Sequence, residues 1–152
     1  MADKLHGSCM CGAVMFETTA PVSVFHCHCE SCRRSTSQPA VTFVGFTADQ
    51  VTFSGEDRKV YESSPGVERT FCPNCGSPIA WEGNDTDGTR YVEMYLGLFK
   101  ERDTLLPTYH AFYEERLPWF DIADGLPRHR GSDPDSAPMA HGPAKHGLPG
   151  TL

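Results

Sequence analysis

The residues best suited to chemistry in this 152-residue chain are its seven cysteines, which all fall into three short clusters. Cys9 and Cys11 form the first cluster, a C-x-C-x-x-C segment within residues 26–34 holds three more, and Cys72 and Cys75 form the last. Because no cysteine lies outside these clusters, the pattern indicates metal ligands. Structural zinc takes four protein ligands, whereas catalytic zinc takes three and keeps one position open. Seven thiolates therefore predict one closed four-cysteine site and one open three-cysteine site.

The zinc knuckle Cys72-Pro73-Asn74-Cys75-Gly76 is the strongest single signal, since a two-residue spacer lets both sulfurs face one ion at about 2.3 Å. A pair of buried structural cysteines is the weaker interpretation. The C-x-C pair of the first cluster is a weak signal by itself. It is interpreted as a ligand pair because the knuckle supplies only two of the four ligands that a structural zinc takes. Spacing also permits another arrangement, in which Cys29 and Cys32 join the knuckle in a ribbon-like site and the other three cysteines are left over. Spacing alone leaves both arrangements open.

Composition excludes several classes of protein. The net charge of −7 disfavours a nucleic-acid partner, since phosphate binding needs a basic surface. No run of about 18 apolar residues is present and residues 1–6 lack an apolar signal region, so we expect neither a membrane span nor secretion. An odd number of cysteines argues against a disulfide framework and for a reducing compartment, here the cytoplasm.

The elements that must position the cysteines are predicted to be mainly β, because helical periodicity is absent and short β-branched and aromatic runs recur. The triple-cysteine segment is predicted to be a loop that runs into one helical turn near residues 30–35, and residues 117–122 are predicted to form another. We expect one domain over residues 1–130 and a Pro/Gly-rich tail without its own core over residues 131–152. The predicted strands cover residues 13–17, 41–44, 51–53, 58–61, 68–71, 79–81, 91–96 and 110–113.

Five segments resemble motifs of the glutathione-dependent formaldehyde-activating enzyme family, which also includes centromere protein V. GSCMCGAV at 7–14 looks like its opening G-x-C-x-C-G-A-V. CHCESCRR at 27–34 resembles its C-H-C-x-x-C-R-[RK] core, and RTFCPNCGS at 69–77 resembles its R-x-F-C-x-x-C-G-[ST]. Segments 107–110 and 118–127 resemble its C-terminal P-x-x-H and P-W signatures, so the match spans roughly residues 6–128.

The resemblance implies a fold, two metal sites and a reaction. The fold is a β-tent of small antiparallel sheets, pinned by zinc and containing little helix. The activity is formation of S-(hydroxymethyl)glutathione from formaldehyde and glutathione, formally a carbon–sulfur lyase in reverse, with glutathione as co-substrate. Ser37 stands where the family often has glycine. Two Zn²⁺ per chain are implied: a structural ion on Cys9, Cys11, Cys72 and Cys75, and a second ion with an open position on Cys27, Cys29 and Cys32.

This ligand set favours a substrate thiol as the nucleophile. Coordination to zinc deprotonates a thiol, so the incoming thiolate can attack an aldehyde carbon without a nucleophile from the chain. Polarisation of the aldehyde oxygen by the metal is the alternative, which three thiolate ligands disfavour. Two rival hypotheses are a non-catalytic binding module whose zincs are both structural and, less favoured, a redox or zinc-storage protein.

Several polar residues near the clusters carry two interpretations each. His26 and His28 are either a fourth ligand or proton shuttle, or loop residues with backbone hydrogen bonds. Arg33 and Arg34 either bind the carboxylates of glutathione or neutralise the anionic cysteine cluster. His110 is more readily interpreted as structural than as part of the site. The oligomeric state is left undetermined.

Overall fold

The computed structural model describes residues 3–140, and this part of the chain forms two compact units. The first unit contains the described residues up to Val24 together with Phe43–Leu106. The second contains Phe25–Thr42 and the described residues from Pro107 onward. In chain order the elements are β1 Leu5–Ser8, β2 Val14–Thr18, β3 Ser23–Cys27, α1 Glu30–Thr36, β4 Val41–Thr47, β5 Val51–Gly55, β6 Lys59–Ser64, β7 Val67–Phe71, β8 Pro78–Asn84, β9 Arg90–Tyr95 and β10 Tyr109–Ala111, with 3-10 turns at Ala48–Gln50, Leu96–Leu98 and Tyr113–Glu115.

The first unit consists of antiparallel strands. Strands β1, β2 and β5 form a small sheet in that order, and strands β4, β9, β8, β7 and β6 follow one another in a second run of paired strands. The core of the unit centres on the ring of Phe99, which packs edge-on against Phe16 at 4.9 Å and stacks on Phe46 at 5.9 Å between centroids. Burying an aromatic ring of this size contributes about 1.5–3 kcal/mol.

Gly7, the first residue of the opening cysteine motif, is required by close packing. A Cβ atom built there would lie 2.2 Å from Cζ of Phe16 and 2.3 Å from the carbonyl oxygen of Leu98. Gly12, which directly follows Cys11, has φ +80°, a backbone conformation that glycine adopts at little cost. Both glycines of the motif therefore shape the first cysteine turn.

The second unit is built on β3, β10 and α1. Strands β3 and β10 pair in parallel, with His110 opposite His26 and Ala111 opposite Cys27. The chain leaves β3 at Cys27 and enters α1 three residues later. Ser37 caps the C-terminal end of helix α1: its φ of 56° is left-handed, and its N–H donates to the carbonyl of Arg33. A left-handed helix end favours glycine, which gives a physical reason for the residue common in the family at that position.

The predicted mainly β fold with little helix is confirmed, and α1 matches the predicted helical turn. Four expectations differ from the structure. The strand predicted over residues 110–113 is Tyr109–Ala111 in the structure, because Phe112 is left-handed at φ 51° and a 3-10 turn follows it. The predicted loop at His26–Cys27 is wrong, because these residues end β3, whose Val24 and Phe25 favour a strand. Strand β1 was not predicted, since its four residues include a glycine. Residues 117–122 form a single turn, closed by the N–H of Phe120 on the carbonyl of Leu117 at 3.1 Å, instead of a helical turn.

The boundary predicted near residue 130 stays a prediction, and residues 141–152 of the expected tail lie outside the described part. Within the described residues, Met139 donates from its backbone N–H to the carbonyl of Arg128 at 2.6 Å. Across residues 3–140 we find no helix with the length and apolarity that a membrane crossing demands.

Candidate metal sites

The first unit brings four cysteine sulfurs together. The Sγ atoms of Cys9, Cys11, Cys72 and Cys75 all lie within 4.8 Å of one another. The Sγ of Cys11 lies 3.6 Å from that of Cys9 and 3.8 Å from that of Cys72. A tetrahedral zinc with Zn–S bonds of about 2.3 Å separates its sulfurs by about 3.8 Å. The four sulfurs therefore fit the ligand set of a closed tetrahedral zinc.

Hydrogen bonds within the two cysteine turns reach the sulfurs and favour the charged form of Cys9 and Cys75. The backbone N–H of Val14 donates to the Sγ of Cys9 at 3.3 Å, and the side-chain amide of Asn74 donates to the Sγ of Cys11 at 3.2 Å. Burial opposes ionisation of Cys9, but the Val14 N–H and the neighbouring sulfurs bring its pKa below the ordinary value. The hydroxyl and N–H of Ser77 lower the pKa of Cys75 to about 5.

Ser77 also ties the two turns to each other. Its hydroxyl lies 3.1 Å from the Sγ of Cys75 and accepts the N–H of Met10 at 3.1 Å. The carbonyl of Ser77 accepts the N–H of Cys72 at 2.9 Å. This residue was not predicted as part of the site, although it is the last residue of the 69–77 motif.

The second unit brings three cysteine sulfurs together. The Sγ atoms of Cys27, Cys29 and Cys32 lie within 4.8 Å of one another, with Cys27 and Cys32 buried and Cys29 partly exposed. Among residues 3–140 this group includes no fourth cysteine, histidine or carboxylate. The two groups keep the knuckle with Cys9 and Cys11, so the ribbon-like pairing with Cys29 and Cys32 is not what the chain adopts.

Strand β3 and helix α1 place these three sulfurs. Cys27 ends β3, and Cys29 is the residue that caps α1, where its Sγ accepts the N–H of Cys32 at 3.2 Å. The side chains of Ser35 and Thr36 donate to the carbonyl of Cys32 at 3.0 and 2.8 Å. These hydrogen bonds hold the backbone of Cys32 within the short helix.

The three thiols are close enough to disfavour ionisation together. The neighbouring thiols of Cys29 and Cys32, together with burial, raise the pKa of Cys27. A dication would reverse that effect, because it compensates the negative charge that the thiolates would otherwise share. Three converging thiols of which one faces solvent fit a zinc ion that takes its fourth ligand from outside the chain.

The two arginines after the third cysteine differ in their surroundings. Arg33 donates from Nε to the carbonyl of His28 at 3.0 Å and from Nη2 to the carbonyl of Glu115 at 3.0 Å. Arg34 is 80% exposed and lies 4.0 Å from the carboxylate of Glu30, one helical turn earlier. Arg33 therefore braces the loop that carries the cysteines, while the guanidinium of Arg34 faces solvent.

The predicted histidines form a cluster in which His28 and His110 are buried and His26 is half-buried. His28 and His110 are both 0% exposed, and Nε2 of His28 lies 2.8 Å from Nδ1 of His110. Nδ1 of His26 lies 2.8 Å from the hydroxyl of Thr42. Burial, with His110 as the next cause, lowers the pKa of His26 and of His28 to about 4 each, so both rings are neutral at pH 7. Neither is grouped with the three sulfurs as a metal ligand.

His26, His110 and Asp124 also lie close enough to share an ion, with one ligand atom from each within 4.8 Å of the others. The Asp124 carboxylate already accepts Nε2 of His110 at 3.0 Å and Nη1 of Arg128 at 2.9 Å. Arg128 is 1% exposed. A dication beside that guanidinium would be repelled at short range, so the carboxylate is better matched to the arginine.

Sequence reasoning did not identify the residues that surround His110. Asp121, Asp124 and Arg128 belong to this network. Asp121 accepts a hydrogen bond from the hydroxyl of Tyr113 at 2.7 Å and lies 3.3 Å from Nη2 of Arg128. The available signal was the position of Asp124 inside the second C-terminal motif segment. Its pairing with a histidine 14 residues earlier has no local pattern.

Comparisons with known proteins agree with the motifs. The family described as glutathione-dependent formaldehyde-activating enzyme matches residues 4–115. An uncharacterised lyase of Schizosaccharomyces pombe is 30% identical over 124 residues, covering 80% of this chain and 87% of that protein. A Halomonas elongata protein named "Putative glutathione-dependent formaldehyde-activating enzyme" is 29% identical over 132 residues, covering 78% and 80%. A crystal structure of a Rhodobacter sphaeroides protein has a similar fold, with a TM-score of 0.53 at 18% identity, over 67% of this chain and 96% of that one.

Proposed function

This chain belongs to the glutathione-dependent formaldehyde-activating enzyme family, and on that premise we propose that it joins glutathione to formaldehyde as S-(hydroxymethyl)glutathione. The reaction forms one C–S bond between the thiol sulfur and the aldehyde carbon, and the thiol proton ends on the new hydroxyl oxygen. In the reverse direction the same chemistry is that of a carbon–sulfur lyase. Family and relatives support an enzyme of this kind, while glutathione and formaldehyde are our choice of substrates.

The difference between the two cysteine groups carries this proposal. Four sulfurs complete the ligand set of zinc in the first unit, whereas the second group offers three and leaves Cys29 partly exposed. A structural zinc is closed, and a catalytic zinc keeps one position for water or substrate. We therefore assign two Zn²⁺ per chain, with Cys27, Cys29 and Cys32 as the group that meets substrate.

When bound to these three cysteines, zinc would hold the glutathione sulfur as a thiolate, the nucleophilic form of a thiol. The chain itself supplies the three ligands and sets their orientation. Cys27 and Cys32 are held in the interior, and the N–H of Cys32 supports the Cys29 sulfur at 3.2 Å. No side chain is needed as nucleophile, since the substrate brings its own.

Arg34 is the better placed of the two predicted glutathione contacts. Its side chain is 80% exposed and follows Cys32 by two residues in the chain. Arg33, in contrast, already donates hydrogen bonds to two backbone carbonyls. An arginine binds a carboxylate through two parallel hydrogen bonds, and glutathione carries two carboxylates. We propose Arg34 as the residue that draws the tripeptide to the site and Arg33 as the brace of the loop.

The chemistry suits a reducing compartment, and we propose the cytoplasm. The seven cysteines, all of which lie within residues 3–140, form no disulfide in the structure, and disulfides rarely persist where glutathione keeps thiols reduced. The proposed partners are small molecules, a thiol and an aldehyde, without a nucleic acid or a membrane.

Exchange NMR between formaldehyde hydrate and the glutathione adduct tests the proposal directly. Zinc-loaded protein should raise the exchange rate above the spontaneous rate in proportion to protein concentration. Cys32→Ser should return the rate to background and lower zinc from two to one per chain, while Val60→Ser on the exposed strand β6 should change neither. A background rate from wild-type protein carrying two zincs would refute the enzyme and favour the binding module.

A further inference from the structure

We propose that His110 is a positioning residue for the three-cysteine group, acting through His28 to hold the backbone that carries Cys27 and Cys29. The proposal rests on the proposed function only in taking that group as a metal site. Among residues 3–140, His110 is not grouped with the three sulfurs as a metal ligand. Its position in β10 lies 83 residues beyond Cys27 in the chain, and the parallel pairing of β3 with β10 brings the two together.

His28 is the residue between two of the three cysteines, and it is held at three points. Its N–H donates to the carbonyl of Ala111 at 3.1 Å. Its carbonyl accepts Nε of Arg33 at 3.0 Å. Its ring meets Nδ1 of His110 at 2.8 Å, with the two rings stacked at 5.1 Å between centroids. Because the N–H, the carbonyl and the ring of His28 are all hydrogen-bonded, the backbone on either side of it, which carries Cys27 and Cys29, is held in position.

The direction of the ring hydrogen bond follows from the carboxylate behind it. Nε2 of His110 lies 3.0 Å from Oδ2 of Asp124 and must donate to that carboxylate. In a neutral His110 ring Nδ1 is then the acceptor, so Nε2 of His28 is the donor. Asp124 therefore determines, through His110, which nitrogen of His28 carries the proton.

His110 is itself fixed from several sides. Its N–H donates to the carbonyl of Pro127 at 2.9 Å, and its carbonyl accepts the N–H of His129 at 2.8 Å. Arg128 holds Asp124 through Nη1 at 2.9 Å and donates to the carbonyls of Leu126 and Ile122 at 2.6 and 2.8 Å. The buried arginine thus holds the Asp124 carboxylate in one orientation. The carboxylate orients the ring of His110, and that ring in turn orients the ring of His28.

A supporting residue of this kind acts on metal affinity without touching the metal. Outer partners that orient the ligands of a metal site change metal affinity by roughly tenfold to 100-fold when they are substituted. We expect a loss of that size at the three-cysteine group and none at the four-cysteine group, which lies in the other compact unit.

The matched variants His110→Asn and His110→Gln test the proposal. An asparagine amide lies near the position of the histidine Nδ1, so His110→Asn can still accept the proton of His28. A glutamine amide lies near the position of Nε2, so His110→Gln keeps a partner for Asp124 and loses the contact with His28. Zinc-loaded protein is mixed with a chromophoric chelator, and the equilibrium constant of the weaker-bound zinc is measured without glutathione or formaldehyde.

The expected result is that His110→Gln weakens the weaker-bound zinc by tenfold or more, while His110→Asn weakens it by only a few-fold and neither affects the tighter one. Equal zinc affinity in both variants, or a greater loss in His110→Asn, overturns the proposal. Since no substrate is present, this result stands even if the glutathione reaction is absent. Circular dichroism on both variants distinguishes loss of metal from loss of fold.

Discussion

Substitution of Arg128 by methionine is expected to destabilise the protein strongly, because the arginine is buried among acceptors. Its side chain is 1% exposed and donates to Asp124, to Asp121 and to backbone carbonyls in the same turn. Methionine retains the unbranched, apolar character of the arginine stem and lacks the guanidinium. What it removes is the positive charge that faces two carboxylates.

The size of the effect follows from what is left behind. Removing one partner of a buried ion pair costs about 3–5 kcal/mol, because the remaining charge stays in a poorly solvated place. Asp124 is 23% exposed and retains some contact with water, so we expect the lower end, about 3 kcal/mol. A domain of this size unfolds with about 5–15 kcal/mol. The variant should therefore still fold, with a much smaller free energy of unfolding than the parent.

Urea unfolding at a fixed excess of zinc measures this difference, since metal bound to the folded state otherwise contributes to stability. Arg34→Met is the matched control, because its pair with Glu30 is exposed on both sides and worth less than about 1 kcal/mol. Equal free energies of unfolding for Arg128→Met and Arg34→Met would refute the role given to the buried network.

Gly7→Ala should destabilise the first unit by about 1–3 kcal/mol through overpacking against Phe16, whereas Gly97→Ala, with open space at its Cβ, should be close to neutral in the same urea assay. Ser37→Gly should stabilise the chain by about 0.5–1 kcal/mol, since it relieves a left-handed residue, and a lower melting temperature would contradict this. Burial opposes ionisation of Asp124, but His110, the Leu126 N–H and Arg128 lower its pKa. The ionised Asp124 carboxylate therefore contributes fully to the free energy of unfolding above the unfolded pKa of about 3.9, and this contribution is lost as pH falls through the lower folded pKa. Between about pH 5 and pH 2, urea unfolding should show a smaller loss of stability for Asp124→Asn than for the parent.

The cysteine groups were largely predictable from the sequence, and their supports were not. Cysteine is scarce and chemically distinctive, so its spacing indicates metal ligands without knowledge of the fold. Cys29 and Cys32 could have paired with the knuckle on spacing alone, and only family motifs favoured the grouping that the structure has. The strand of His26 was missed because its polar and sulfur residues outweighed the short apolar run before them.

The histidine network escaped prediction for a different reason. The His28–His110 contact joins residues 82 positions apart, and it depends on the pairing of two short parallel strands. Asp124 and Arg128 lie in irregular chain, where no period marks a buried side chain. Ser77 and Gly7 did lie inside motifs, but their roles depend on contacts with residues far away in the chain, Met10 for Ser77 and Leu98 for Gly7.

Zinc per chain, measured by elemental analysis of protein purified without chelator, tests the central claim most directly. We expect two zincs per chain, one of which is removed by Cys32→Ser. A value of one that stays at one after zinc is added back and the excess is removed would contradict an open three-cysteine site and leave the four-cysteine site alone.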